Sequence, residues 1–218
     1  MTEFLDIVEF RRATSAEDLE SIQRLRYRSY RREDFIDAND SGLCTDSIEY
    51  TPNAMSFGLY VAGQLVAAIR LHVLTKDCPY GPSMLVFPDI IQPELDEGRV
   101  FIDPSRFVTD EESARLYPEL PYMTLRIVVM ASLYFNADYG LSSIRKEHAA
   151  FYRRVFNSTV ASDVRSYTYV RMQVQLMKTD VDSLRSTFFQ RYPFFASNYV
   201  EQRQLFGPRD ALISTIAA

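Results

Sequence analysis

Residues 100–108, Val-Phe-Ile-Asp-Pro-Ser-Arg-Phe-Val, constrain the fold of this chain more than any other segment. β-Branched and aromatic residues predict a strand, but Pro104 cannot donate to a sheet ladder and marks an edge, a bulge or a splayed strand end. In an unbroken strand Asp103 and Arg106 would point to opposite faces. One extra residue at Pro104–Ser105 would bring them within reach of each other. Two interpretations stay open: a structural ion pair at a bend, or an active-site acid beside an anion-binding guanidinium.

Composition narrows the class of protein. The 218 residues predict a single domain, residues 1–218, with a full core, and the net charge of −5 disfavours non-specific nucleic-acid binding. No apolar run approaches the ~20 residues of a membrane span, and the N-terminus lacks the order of a signal peptide. Cys44 and Cys78 are too few for a disulfide scaffold or a zinc site. The sequence therefore predicts a cytoplasmic protein without a structural metal.

The first half of the chain predicts one helix and a hairpin. Thr14 and Glu17 have the spacing of a capping box, which predicts a helix through about Glu33. Residues 34–53 are acidic and without a period, so we expect a loop or a short irregular helix. Alternation over residues 57–61 and 65–73 predicts two strands around a tight turn. Arg70, in the middle of the second strand, needs a partner, either Asp103 or an acid in the preceding loop.

The second half alternates helices and strands. Residues 122–139 predict a buried helix that is apolar on nearly all sides and closed by Gly140. A strand over 143–148, a helix over 149–156, a strand over 167–177 and a last helix near Asp182 follow. This order predicts a mixed α/β sheet.

Several of these pieces resemble the GNAT acyltransferase fold, in the branch of acyl-homoserine-lactone synthases and N-acyl amino acid synthases. They are Arg26 with Tyr30 four residues later, the strand 66–71, Met-Leu-Val-Phe-Pro at 84–88, and residues 101–107. The lactone synthases carry a glutamate where this chain has Asp103, and a tryptophan that it lacks. Residues 144–156 are similar to the N-acyl amino acid synthases instead. The resemblance covers residues 15–178 and implies a central mixed, mostly antiparallel sheet flanked by helices.

The resemblance also implies an acyl donor. Ordinary GNAT enzymes hold the pyrophosphate of coenzyme A on a glycine-containing loop before the central helix, whereas residues 110–121 here are acidic and contain no glycine. In this branch the implied donor is acyl carrier protein, with the acyl group on its phosphopantetheine arm and no bound cofactor. Because carrier proteins are acidic, a local basic surface would steer them. The candidates, which alternatively are ordinary solvated charges, are Arg28, Arg32, Arg145, Lys146, Arg153 and Arg154.

Transfer of an acyl group to an amine needs an amine-holding or proton-accepting group and donors for the oxyanion. Asp103 fits the first role, directly or through water, and strand amides at the splay fit the second. Arg70 and Arg106 would hold that acid or bind the carboxylate of an amino-acid acceptor. His148 is a second base candidate. The resemblance implies further substrate contacts from Arg26, Tyr30, Asp46, Phe87, Ser105, Phe107 and Tyr152.

Three functions remain open from the sequence. The leading one is an N-acyl amino acid synthase that uses acyl carrier protein. The second is an acyl-homoserine-lactone synthase that uses S-adenosylmethionine, against which the missing tryptophan and Asp103 count. The third is a non-catalytic GNAT-like binding module.

Overall fold

The computed structural model describes residues 2–167 and 170–208. Its helices are α1 Thr2–Leu5, α2 Ala16–Arg32, α3 Pro82–Val86, α4 Pro88–Asp96, α5 Glu111–Leu116, α6 Leu120–Tyr134, α7 Ala149–Phe156, α8 Val181–Ser186, α9 Phe188–Arg191 and α10 Tyr199–Phe206. Its strands are β1 Val8–Arg12, β2 Ala54–Val61, β3 Gln64–Leu74, β4 Phe101–Thr109, β5 Tyr139–Ile144, β6 Thr159–Val160, β7 Arg165–Tyr167 and β8 Met172–Asp180. Short 3-10 helices span Lys146–His148 and Pro193–Phe195.

The strands form one sheet in the order β1-β2-β3-β4-β5-β8-β6, with β7 also paired to β8. Every strand pairing is antiparallel except that of β4 with β5. The helices α2, α3 and α4 pack on one face, and α6 and α10 pack on the other. The predicted mixed, mostly antiparallel α/β sheet is therefore confirmed.

The parallel strands β4 and β5 separate soon after they meet. Their pairing consists of Phe101 with Tyr139 and Ile102 with Gly140, although both strands continue further. The predicted splay exists, but it begins after Ile102 and not after Ser105. Pro104 has no N–H to offer a neighbouring strand, so pairing cannot resume there.

A bulge interrupts β4 where it pairs with β3. Arg70 lies opposite Ser105 and Ala68 opposite Val108, so two residues of β4, Arg106 and Phe107, face a single residue of β3. The extra residue was predicted at positions 104–105 and lies slightly later. Arg106 adopts a left-handed φ of 53°, which is costly for a residue with a side chain.

Helix boundaries differ from the prediction in small ways. The capping box of α2 uses Ser15 and Asp18, one residue after the predicted pair. Helix α6 ends at Tyr134, not near 139, because Asn136 takes a left-handed conformation with φ of 50° and the chain then turns into β5. Gly140 is consequently a strand residue and not a helix cap.

The later elements are partly shifted. The predicted strand 143–148 is β5, four residues earlier, followed by a 3-10 turn, whereas the predicted helix 149–156 matches α7. The acidic residues 110–121 contain the short helix α5. The predicted strand 167–177 overlaps the end of β7 and most of β8, and its residues 168 and 169 lie outside the described residues. Within the described parts of the chain, no helix is both long and apolar enough to cross a bilayer.

The C-terminal aromatic region is attached to α6 through one buried arginine. Arg126 donates to the carbonyl oxygens of Phe194 and Ala196 at 2.8 and 2.6 Å, and its guanidinium also pairs with Glu201 of α10. Phe206 packs at the same end against Phe57 of the sheet. The segment 193–206 therefore closes the face of the sheet that α6 leaves open.

Replacing Arg126 by Met should destabilise the protein by about 1–3 kcal/mol, because two part-buried carbonyls and the part-buried carboxylate of Glu201 lose their donor. Urea unfolding would measure this change, and Arg203→Met, an exposed position on α10, is the matched control. An unchanged urea midpoint in Arg126→Met would contradict the role assigned to this arginine.

Candidate active site

A buried network of arginines and carboxylates lies between α2, the loop before β2, and strands β3 and β4. Arg70 is fully buried and donates to both oxygens of Asp46, at 2.7 and 2.9 Å. It also reaches Glu49 at 2.9 Å and Ser105 at 3.2 Å. This geometry satisfies the guanidinium on three sides and fixes it beneath the bulge of β4.

Two further arginines complete the network. Arg106 donates through Nε to Asp46 Oδ2 at 3.1 Å and makes a second bond to the same oxygen through Nη2. Arg26, also fully buried, binds both oxygens of Glu49 at 2.7 and 2.8 Å. Three guanidinium groups thus share two carboxylates, which leaves one positive charge in excess.

The arginines keep both carboxylates ionised. Burial by itself would raise the pKa of Asp46, but its hydrogen bonds and charge interactions with Arg70 and Arg106 outweigh that effect and hold the pKa well below its ordinary value. The pKa of Glu49 is likewise lowered, because Arg26 and Arg70 outweigh the effect of burial.

The predicted contact between Asp103 and Arg106 is wrong. Arg106 pairs with Asp46, and the partner of Arg70 is the acid of the preceding loop, as the alternative prediction had it. The physical reason is the position of the bulge. It turns Arg106 towards Asp46 in the loop before β2, while Asp103, three residues earlier, is held by Ser83 at the start of α3.

Asp103 is fully buried and held by Ser83. The backbone N–H of Ser83 donates to Oδ2 at 2.8 Å and its hydroxyl donates to Oδ1 at 2.6 Å. Burial raises the pKa of Asp103 to about 7, even though these bonds and the charge of Arg70 act in the opposite direction. Gly81 permits this approach, since a Cβ there would lie 2.7 Å from Asp103 Oδ2.

An open cleft of about 260 Å³ occupies the splay between β4 and β5. The basic side chains that line the cleft are Arg106, Arg145 and His148. Among the described residues, no carboxylate lines it. The guanidinium of Arg106 lies over the ring of Tyr30 at 5.5 Å. The cleft therefore presents a cationic and partly aromatic surface.

A smaller apolar pocket of about 30 Å³ adjoins the cleft beneath α6. Four residues line both spaces, namely Pro104, Leu125, Ser142 and Tyr152. The far wall of the pocket is mostly apolar and comes from α6, α7, β8 and α8: Val128, Val129, Phe156, Thr179, Val181 and Leu184. Burial raises the pKa of the Tyr152 phenol to about 12, so this group stays protonated at neutral pH.

The structure brings most of the predicted site residues to this cleft. Those that line it are Tyr30, Ser105, Arg106, Phe107, Arg145, His148 and Tyr152. The side chains of Arg26, Asp46, Arg70 and Asp103 lie behind it as buried support. Phe87 is the exception, because it is fully buried in the core between the sheet and α4 and does not line the cleft. The predicted contact between Phe87 and the substrate is therefore wrong.

Two functional candidates were not found from the sequence. Ser83 contacts Asp103, and Ser143 on β5 contacts Ser83 and lines the cleft. Gly81 and Pro82 mark the start of a helix, which is the signal nearest to Ser83, but nothing in the sequence pairs this turn with β4.

His148 lies in a 3-10 turn, where its Nε2 accepts a hydrogen bond from Arg145 at 3.1 Å.

The predicted docking residues lie at three places on the surface. On α2, Arg28 is exposed and Arg32 lies 3.5 Å from both Glu33 and Glu111, which partly neutralise it. Arg145 lines the cleft, and Lys146 follows it at the start of the 3-10 turn. Arg153 and Arg154 on α7 border an open depression that Arg191 of α9 also lines. No group of three metal-ligating side chains occurs within the described ranges.

Comparisons with known proteins decide the family. The family model of the N-acyl amino acid synthase FeeM matches residues 21–180, which is well over half of the chain. The chain belongs to this family. The match confirms the predicted resemblance and the predicted class of enzyme, an acyltransferase of the N-acyl amino acid synthase type. A search of curated protein sequences found no match.

Solved structures support the fold of this FeeM family member. FeeM from uncultured soil microbes aligns with a TM-score of 0.70 at 17% identity, over 85% of this chain and 97% of FeeM. BjaI, a CoA-dependent acyl-homoserine lactone synthase, aligns with a TM-score of 0.67 at 16% identity, over 97% and 99%. A protein of Lactobacillus plantarum assigned as an N-acetyltransferase gives 0.56 at 13%, over 80% and 99%. These likenesses confirm the GNAT-like fold.

The two buried acids should shift stability with pH in opposite directions. The folded pKa of Asp103 lies above its ordinary value of 3.8, so the folded state binds more protons and stability falls as pH rises from about 4 to about 7. The folded pKa of Asp46 lies below its ordinary value, so its contribution is present above about pH 4 and is lost on acidification.

Asp103→Asn should therefore gain stability over the wild type as pH rises, from no difference near pH 4 to at most about 4 kcal/mol above pH 7, since each pH unit corresponds to about 1.4 kcal/mol. Urea unfolding at pH 4.5, 6 and 7.5 would measure the difference. Asp138→Asn is the control with the opposite sign, because its pKa is lowered. A loss of stability in Asp103→Asn at pH 7.5 would contradict this account of Asp103.

Proposed function

We propose that the protein transfers a fatty acyl group from the thioester of acyl carrier protein to the amine of an amino acid, giving an N-acyl amino acid. The observation that carries the proposal is the cleft itself. Its described lining includes Arg106 and no carboxylate, an apolar pocket adjoins it, and a buried acid lies behind it. Arg106 can bind an anionic acceptor, the apolar pocket can contact the acyl chain, and the buried acid can act as the base.

The acceptor carboxylate binds Arg106 in this proposal. Arg106 has five N–H donors, and its described contacts with Asp46 and Cys44 use three of them. The remaining two can form a fork to a carboxylate, and Tyr30 holds the plane of the guanidinium. The excess positive charge of the buried network strengthens this site.

The acyl chain lies along the cleft with its end at the apolar pocket beneath α6, whose volume of about 30 Å³ admits only that end, so the thioester carbonyl lies at the splay. The amine nitrogen attacks the carbonyl carbon and gives its proton to a base, the carbon–sulfur bond breaks, and the pantetheine sulfur leaves as a thiolate. Strand amides released from pairing at the splay are the candidate oxyanion donors. Tyr152 keeps its proton and can donate a hydrogen bond to the departing sulfur. His148 at the cleft is a second candidate base.

A lactone synthase that uses S-adenosylmethionine is the alternative. Its acceptor, S-adenosylmethionine, carries a sulfonium cation. In the cleft this cation would lie near Arg106 and Arg145, and the described lining supplies no carboxylate to balance it. The charge of the cleft therefore favours a plain amino acid. Family membership counts against a non-catalytic module.

Incubating the purified protein with decanoyl acyl carrier protein and either the common amino acids or S-adenosylmethionine should give N-decanoyl amino acids by mass spectrometry. Arg106→Gln should raise the KM for the amino acid roughly 10- to 100-fold, because a charged contact is lost. Arg115→Gln, at an exposed position on α5, is the matched control. Formation of a lactone, or of no product, would overturn the proposal.

Carrier-protein docking should depend on the exposed arginines of α7. Arg153→Glu with Arg154→Glu should lower kcat/KM for decanoyl acyl carrier protein but not for decanoyl pantetheine, and the loss should shrink as salt screens the charges. Lys76→Glu with Arg203→Glu changes the net charge equally at other exposed positions. An equal loss with both donors would contradict docking at this surface.

A further inference from the structure

A chain of hydrogen bonds connects the buried carboxylate to the cleft. Ser83 Oγ donates to Asp103 Oδ1 at 2.6 Å, and Ser83 Oγ lies 2.7 Å from Ser143 Oγ. Asp103 is fully buried and does not line the cleft, whereas Ser143 does. No substrate in the cleft can touch Asp103 directly, so any action of this acid on the amine needs an intermediary.

The direction of these hydrogen bonds follows from counting hydrogens. Each serine hydroxyl carries one hydrogen. Ser83 gives its hydrogen to the ionised Asp103, so the hydrogen between the two serines comes from Ser143. The hydrogen of Ser143 therefore points towards Ser83, and a lone pair of the Ser143 oxygen is available on the side of the cleft. It is an acceptor suited to the N–H of an incoming ammonium or amine.

We propose that Ser143 is the residue that accepts the proton of the attacking amine, and that Ser83 passes a proton on to Asp103. This inference rests on the proposed function and deepens it. The nitrogen loses one proton to Ser143 Oγ, Ser143 gives its own to Ser83 Oγ, and Ser83 gives its own to Asp103. Each hydroxyl ends with one hydrogen, the carboxylate becomes neutral, and no other reactant is needed.

The fold explains why two serines are required. Asp103 lies on β4 and Ser143 on β5, and these strands are paired at Ile102 and Gly140 but separate beyond them. Ser83, at the start of α3, spans the gap. Its backbone N–H fixes the second oxygen of Asp103 at 2.8 Å, which orients the carboxylate towards the hydroxyl.

Among the titratable groups that surround Asp103, Asp103 itself is the group that changes charge near neutral pH. Arg70 and His72 face it from β3, and Tyr167 from β7. Burial and the charge of Arg70 lower the pKa of His72 to about 4, so this ring is neutral at pH 7. Burial raises the pKa of Tyr167 above its ordinary value. With a pKa of about 7, Asp103 is a well-matched base for proton transfer.

The test compares Ser143→Ala with Ser143→Thr in the decanoyl acyl carrier protein assay. Ser143→Ala should lower kcat about 10²- to 10⁴-fold with little change in the KM for the acceptor, and Ser143→Thr should restore most of the rate because it keeps the hydroxyl. Ser158→Ala, which removes a buried hydroxyl bonded to Thr179 outside the relay, is the matched control.

The pH profile separates the relay from a structural role. In the wild type kcat should fall as pH drops below about 7, when Asp103 becomes protonated, and this limb should persist in His148→Gln but disappear in Ser143→Ala. Asp103→Asn combined with Ser143→Ala should be no slower than either alone, because the residues act as a unit.

The outcomes also separate the relay from the proposed function. An active wild type whose rate and pH profile are unchanged in Ser143→Ala would overturn the relay alone. Loss of the acidic limb in His148→Gln would do the same and assign the base to His148. A wild type that transfers no acyl group would overturn the proposed function, and the relay as a catalytic device with it.

Discussion

The pairing of Asp46 with both Arg70 and Arg106 is the interaction on which the rest of the site depends. One carboxylate from an irregular loop satisfies two guanidinium groups from two strands. Removing it would leave buried Arg106 without a carboxylate and Arg70 with Glu49 alone, at a cost of several kcal/mol. Because Arg106 also lines the cleft, the same contact that stabilises the interior sets the position and the charge of the surface that faces a substrate.

The splay of β4 and β5 and the bulge of β4 act together on this arrangement. The splay opens a space in the middle of a sheet, where backbone groups would otherwise be paired and side chains packed. The bulge then places the side chain of Arg106 at the edge of that space, which requires a left-handed backbone conformation at Arg106. Such strain is retained at sites where it orients a functional group, and the bonds from Arg106 to Asp46 offset it here.

The sequence predicted the hairpin of β2 and β3, the strand β4 and an irregularity near Pro104, because alternation and the missing N–H of proline are local properties. It did not predict the edge strand β1 or the two-residue strand β6, and it joined β7 and β8 into one strand. It did not predict which residue takes the left-handed conformation, since arginine has no preference for it. The partner of Asp103 was also beyond its reach. That contact depends on Gly81, whose missing side chain lets a segment 20 residues away in sequence approach the carboxylate, and such tertiary proximity leaves no periodic signal.

The splay also divides the sheet into two parts that do different work. Strands β1 to β4 are joined to β5, β8 and β6 by only two residue pairs. Arg106 and its network belong to the first part, while the second part, together with α6, α7 and α8, contributes most of the wall of the apolar pocket. In the proposed reaction, the residues that bind the acceptor and those that bind the acyl chain therefore lie on different sides of this weakly paired boundary, so the two preferences can diverge independently among relatives.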